Sequence, residues 1–312
     1  MKNPSKFDVS GFGITTLDYI CIVDKLANYR KQATIEDVKF FGGGCVSTAL
    51  VALNRLGGTS AFVTSLGDDW AGEEVLKGLK EENIDCSAIS IHEKQFTTFS
   101  FIQVSKKEGK RAIAFFPGSG RKLKFDEEAK NIIKRSKILL LDGLIPFEEI
   151  KAAKFASANN IKIMLDCNVL NDETKDLLPY IDYLITSETF LYGYSRTKDI
   201  KQALYSLYKD YKPEILVTTL GKRGSVTLTN DQVKYVDIFD VEVRDTTGCG
   251  DVYHGAFLYG LLRGWSIIDI MTFSTAVSSI KSMYYGGRAG IPGLDKTLQF
   301  LKSYGFNIER FL

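Results

Sequence analysis

The chain has 312 residues, 45% apolar and 25% charged, enough for one large α/β domain or two small ones around a sizeable core. Its 40 basic and 38 acidic residues leave a formal net charge of +2 with no long run of either sign, which argues against nucleic acid or a charged membrane surface as a partner. No segment approaches the roughly 18 uninterrupted apolar residues of a membrane span, and MKNPSKFDVSGFG has no signal-peptide core, so a cytoplasmic protein is expected. Five scattered cysteines (Cys21, Cys45, Cys86, Cys167, Cys249) and two histidines leave little material for a disulfide framework, a zinc site or a histidine triad.

In chain order, FDVSGFGI (7–14) reads as an opening strand, and its Gly11-Phe-Gly13 is a lone GxG, a weak dinucleotide signal. Segments 19–24, 34–41, 97–105 and 111–117 alternate polar and aromatic residues, as in a small antiparallel sheet with one wet face. No Pro- or Ser-rich linker sets them apart. They read as a lid or oligomer contact, built from about 15–41 and 94–118, within one domain spanning 1–312. A helix over about 46–56 follows the glycines of FGGGCVST (41–48), and SAFVTSLG (60–67) is a further strand.

From about residue 125, β-branched runs alternate with amphipathic ones, the pattern of βα units around a parallel sheet. KILLLDG (137–143), KIMLDCN (162–168), DYLITS (182–187) and EILVTTLG (214–221) read as strands, with helices near 126–135, 147–160 and 198–210. SVTLTN and QVKYVDIF, joined at Asn230-Asp231, suggest a hairpin. A strand ending near Val243 should then meet the turn of DTTGCGDVYHGAF (245–257), followed by a helix from about Gly250 to Arg263 that stops at Gly264.

That turn has glycines and acids but no lysine or arginine. The unpaired N–H groups and dipole of a helix start can hold an anion without a basic side chain. Asp251 beside them suits a different task, taking a proton from an attacking hydroxyl, although an acidic helix start after a tight turn is also common without function. FGGGCVST lacks the GK[ST] of a P-loop; its glycines either let backbone approach a small polar ligand or only make a turn. Asp18 could bind sugar hydroxyls or be a turn residue, and the basic loop Thr219-Leu-Gly-Lys-Arg-Gly224 could meet nucleotide phosphates or be solvated. His254 is expected to be a packed, hydrogen-bonded helix histidine, and the Cys249 thiol need not react.

Together these pieces resemble the ribokinase-like (PfkB-type) carbohydrate kinases over nearly the whole chain. DTTGCGDVYHGAF resembles the family signature DTxGAGDxFxGA, with Cys249 in place of alanine. FGGGCVSTALVALNRLGGTSAFVTSLGDDWAG resembles the N-terminal signature, TTLGKRG the TxGxxG element, and GGRAGIPG (286–293) the C-terminal loop near the adenine and monovalent-cation sites. The GGG cluster, GITxxD, SExxL, DVYHGA and GGRAGIP look most like the sulfofructose kinase branch, without a clear arginine in 138–146 for a sulfonate.

The resemblance implies an α/β ribokinase-like fold: a largely parallel central sheet flanked by helices, with a small antiparallel β lid. It implies Asp251 as catalytic base and the amides of Gly248, Cys249 and Gly250 as an anion hole. Asp18, Gly43, Gly44 and Thr48 would bind the sugar, Thr48 standing where many members have asparagine. Thr219, Gly221 and Gly224 would lie along ATP. Ser187 and Glu188 fall at the NxxE element that organises Mg²⁺ through water, and Asp245 and Thr247 where some members bind K⁺.

The expected activity is ATP-dependent phosphorylation of a primary hydroxyl on a small furanose or ketose-type sugar, by a homodimer joined through the lid. A nucleoside kinase and a sugar-phosphate kinase are the rivals within the family, the latter with Arg30, Lys31 and Lys39 as candidate phosphate ligands. A non-catalytic sugar or nucleotide sensor is the rival outside it.

Overall fold

A computed structural model describes residues 6–107, 111–168 and 170–312. The strands are β1 (Phe7–Phe12), β2 (Thr16–Val23), β3 (Ile35–Gly43), β4 (Ser60–Gly67), β5 (Ile89–His92), β6 (Phe99–Ser105), β7 (Arg111–Phe116), β8 (Ser136–Leu141), β9 (Lys162–Cys167), β10 (Tyr183–Ser187), β11 (Ile215–Thr219), β12 (Ser225–Thr229) and β13 (Gln232–Val236). Nine form a sheet in the order β13-β12-β11-β10-β9-β8-β1-β4-β5. Its pairings are parallel from β11 to β5 and antiparallel at the β11-β12 and β12-β13 end. Asn230 and Asp231 both have positive φ (49° and 58°), the conformation that a two-residue hairpin turn requires.

Continuous apolar strands are explained by burial on both faces. In β8, Ile138 and Leu140 join one core and Leu139 and Leu141 the other. Helices Cys45–Arg55, Cys249–Arg263, Ile267–Ser282 and Leu294–Ser303 cover the first face. Helices Glu127–Lys134, Pro146–Ala158 and Ile200–Tyr211 cover the second. Several helices start on a side chain that caps an orphan amide: Asp69, Asp126, Ser187, Asp199 and Ser266, each worth about 1 kcal/mol.

The second sheet has the order β3-β2-β6-β7. Its outer pairings are antiparallel and its central β2-β6 pairing is parallel. β7 is exposed along its whole length.

One expectation fails. No strand ends near Val243: residues 237–244 form none, and β13 before them is the edge of the sheet. Their apolar residues, Val241 and Val243 among them, line a cavity instead.

Candidate active site

The strand order reverses at β1, whose neighbours β4 and β8 lead to opposite halves of the sheet. Ligands of open α/β sheets bind in the crevice that such a reversal opens at the strands' carboxyl ends. Two helices begin there, Cys45–Arg55 on Gly44 and Cys249–Arg263 on Gly248, and neither has a side-chain cap. Gly248 has φ +75°, and a Cβ on it would lie 2.7 Å from the carbonyl oxygen of Gly287, so the turn demands glycine twice over. Cys249 and Gly250 line a cavity of about 570 Å³ together with Thr219, Gly221, Gly224 and Thr246. The predicted nucleotide loop and two of the predicted anion-hole residues thus share one cavity.

Asp251 occupies the first turn of its helix. One oxygen each of Asp251 and Asp166 and the sulfur of Cys45 lie within 4.8 Å of one another. Burial, then the charge of Asp166, pushes the Asp251 carboxyl up to about 7, against the opposing pull of His254. Burial and Asp142 push Asp166 up to about 8. Burial and the neighbouring acids, Asp251 first, hold the Cys45 thiol well above its ordinary value, so it stays protonated. A carboxyl titrating near neutrality is suited to accept a proton from an alcohol.

His254 is buried, with Nδ1 2.7 Å from the Gly250 carbonyl oxygen and Nε2 3.3 Å from that of Ile185. Burial lowers its pKa, and both ring nitrogens face carbonyl oxygens, Nδ1 the more closely. It is the packed helix histidine that its sequence position suggests, and Nδ1 also lies 3.3 Å from Asp166. The Cys249 thiol is turned towards the Ser278 carbonyl, and burial raises its pKa to about 11, which leaves little thiolate.

Asp18 projects from β2, buried, and accepts a 2.8 Å hydrogen bond from the Thr16 hydroxyl. Burial raises its pKa, opposed by hydrogen bonds from Thr16 and Ser100 and by the charge of Arg288. It packs so closely on Gly43 that a Cβ there would lie 2.2 Å from the carboxylate. Arg288 donates to the Gly43 carbonyl at 3.0 Å, to Ser47 Oγ at 2.8 Å and, from Nε, to Thr48 Oγ1 at 3.4 Å. Thr48 therefore meets an arginine of the GGRAGIPG loop.

Ser187 caps the helix Glu188–Ser195, and Glu188 pairs with Arg223 at 2.6 Å. Asp245 ties the turn to the C-terminal loop: Oδ1 accepts from Thr247 N and Oδ2 from Gly286 N, both at 2.8 Å. The Thr247 hydroxyl accepts a 2.9 Å bond from Arg111 of β7. Lys281 is buried, its Nζ 3.1 Å from the Asp245 carbonyl oxygen and in closer contact with that of Thr247. Of the basic residues considered for a phosphosugar, Lys39 pairs with Asp37 at 3.6 Å and Arg30 stacks on the exposed ring of Tyr29.

Sequence reasoning did not single out Asp166, Asp142, Cys45, Lys281 or Arg288. For the two acids a signal exists: KILLLDG and KIMLDCN each end an apolar strand in Leu-Asp, at the carboxyl edge where α/β sheets bind ligands. Lys281 carries none, since a lysine late in a helix usually faces water.

The pfkB family carbohydrate kinase model matches residues 6–293. The chain is 27% identical to a ribokinase of Haemophilus influenzae over 302 residues, 93% of this chain and 97% of that protein. It is 27% identical to a 5-dehydro-2-deoxygluconokinase of Clostridium beijerinckii, over 98% of this chain and 97% of that protein. The fold is similar to that of a Thermotoga maritima ribokinase, with a TM-score of 0.82 at 24% identity over 95% of this chain and 99% of the other. An Arabidopsis thaliana ribokinase complexed with ribose and ATP gives a TM-score of 0.83 at 21% identity, over 95% and 99%. On the family match, which spans nearly all of its length, the chain belongs to the PfkB family of carbohydrate kinases.

Proposed function

We propose that the chain transfers the terminal phosphoryl group of ATP to a primary hydroxyl of a small furanose or ketose-type sugar, with Asp251 as general base. The observation that carries this reading is a conjunction at one turn. A half-buried carboxyl titrating at about 7 sits on an uncapped helix start, beside a cavity that Cys249 and Gly250 share with Thr219, Gly221 and Gly224. In this reading ATP lies along that cavity, and the amides of Gly248, Cys249 and Gly250 receive charge spreading over the transferred group. Asp18, Gly43 and Gly44 bind the sugar hydroxyls, and Thr48 acts through Arg288, which it meets. Mg²⁺ carried with ATP neutralises phosphate charge, and Glu188, paired with Arg223, would face its water shell.

The second sheet closes over the sugar and excludes water, with Arg111 already bonded to Thr247 of the turn. Its apolar edges also suit a homodimer joined through the lid. The ribokinase solved with ribose and ATP supports the pairing of a sugar with this nucleotide. The motif resemblance to the sulfofructose kinase branch makes a sulfonated ketose one candidate acceptor.

ADP release measured against ribose, fructose, a sulfonated ketose, a sugar phosphate and a nucleoside is expected to single out a sugar acceptor. Asp251→Asn should lower turnover roughly 100- to 10,000-fold while ATP still binds. Near-normal turnover in that variant would remove Asp251 as base, and tight sugar binding with no ADP release in the wild type would favour the sensor.

A further inference from the structure

Every oxygen that the turn at Asp245 and Thr247 could offer a monovalent cation already has a partner within the chain. Both carboxylate oxygens of Asp245 accept backbone amides, from Thr247 and Gly286. The main-chain carbonyls of Asp245 and Thr247 both accept from Lys281 Nζ. Lys281 reaches them from the helix Ile267–Ser282, where its side chain is 0% exposed. A lysine is rarely enclosed in this way unless its charge is satisfied. An ammonium group and K⁺ carry the same charge and seek the same carbonyl oxygens, so they cannot share these two. The residues present do not fit a bound K⁺.

We propose that the Lys281 ammonium is a tethered substitute for a monovalent cation, and that nucleotide binding in this chain is independent of K⁺. The group joins two helices through one charge: it holds the carbonyls that precede Gly248, at the start of Cys249–Arg263, from the end of Ile267–Ser282. Its positive field lies behind the amides proposed to receive phosphate, as that of a bound ion would. Being covalently attached, it is present at any salt composition. The hydrogen bonds also fix the turn's shape, since one ammonium donates to two carbonyls two residues apart.

This inference rests on reading the turn as the phosphoryl-transfer site, so its test includes a measurement that does not. The full chain is unfolded thermally, and its binding of Mg²⁺ with the non-hydrolysable analogue AMP-PNP is followed by calorimetry, in potassium, sodium and choline chloride at matched ionic strength. The wild type is expected to give one midpoint and one affinity in all three salts. Lys281→Met should weaken analogue binding by roughly 10- to 100-fold, the loss of hydrogen bonds from a charged group. Lys281→Ser should lose as much in choline and recover in potassium.

A potassium-specific rise in the wild type's midpoint or affinity would overturn the proposal, as would wild-type affinity in Lys281→Met. If the variants fail to fold, the wild-type salt comparison still decides. Failure to bind AMP-PNP in every salt would count against the kinase reading, and the thermal comparison would still test the cation.

Discussion

Asp251 and Asp166 are held above ordinary carboxylate values by the same cause, burial beside other acids. The charge of Asp166 is the second contributor to the Asp251 shift, after burial. A base must be deprotonated to act, so kcat/KM is expected to rise as pH increases through about 7. Asp166→Asn removes the second acid and should move that acidic limb to lower pH, by on the order of one unit. The linkage has a definite sign. Both folded-state values lie above the unfolded one, so this contribution to stability is complete below the unfolded pKa and is lost as pH rises through about 7 and 8. The thermal midpoint of the wild type should fall across that window, and Asp166→Asn should flatten the fall. An unchanged limb and an unchanged slope would separate Asp166 from the proton chemistry. Asp251 stood out in the sequence because it lies in a glycine-rich motif ahead of a helix; Asp166 did not, because a lone acid at a strand end acquires meaning only from what stands opposite it.

The helix Cys249–Arg263 uses glycine for two unrelated purposes. At Gly255 a Cβ would lie 2.2 Å from the Ala49 carbonyl oxygen, so this glycine lets the helix pack against Cys45–Arg55, the other helix that begins at the crevice. At Gly250 a Cβ would meet nothing within 4 Å, and the open space is the cavity. The same substitution should therefore act in opposite ways. Gly255→Ala forces two backbones apart and is expected to cost about 1–3 kcal/mol, read as a lower urea midpoint. Gly250→Ala should keep or slightly raise that midpoint, since alanine favours a helix by up to about 1 kcal/mol, while it weakens ATP binding. Equal stability losses in both would contradict the division. Sequence marks both glycines alike; only the neighbours tell a glycine packed against a helix from one that lines a cavity.

At the scale of the whole molecule, the second sheet leaves both of its edge strands, β3 and β7, without a further strand among the described residues. Val38 on one and Ile113 and Phe115 on the other are 43%, 54% and 53% exposed. Exposed apolar edges invite strand addition or burial against another chain. Sedimentation is expected to find a dimer, and Ile113→Lys with Phe115→Lys to yield a monomer; a wild-type monomer at all concentrations would remove the lid contact.

The sequence by itself determined the layer architecture and the family. Two-sided burial writes continuous apolar strands, and phosphate-binding turns write glycines at fixed spacing, both of them local signals. It misled at residues 237–244, where apolar residues that look like a strand line the cavity instead, because a strand exists only if a neighbour offers hydrogen bonds. Tertiary structure alone decided the surroundings of the turn: Asp166 beside Asp251, Arg288 on Gly43, and the Lys281 amine on the carbonyls of Asp245 and Thr247. These pairs lie tens to hundreds of residues apart, and electrostatics depends on distance in space. No local pattern carries that distance.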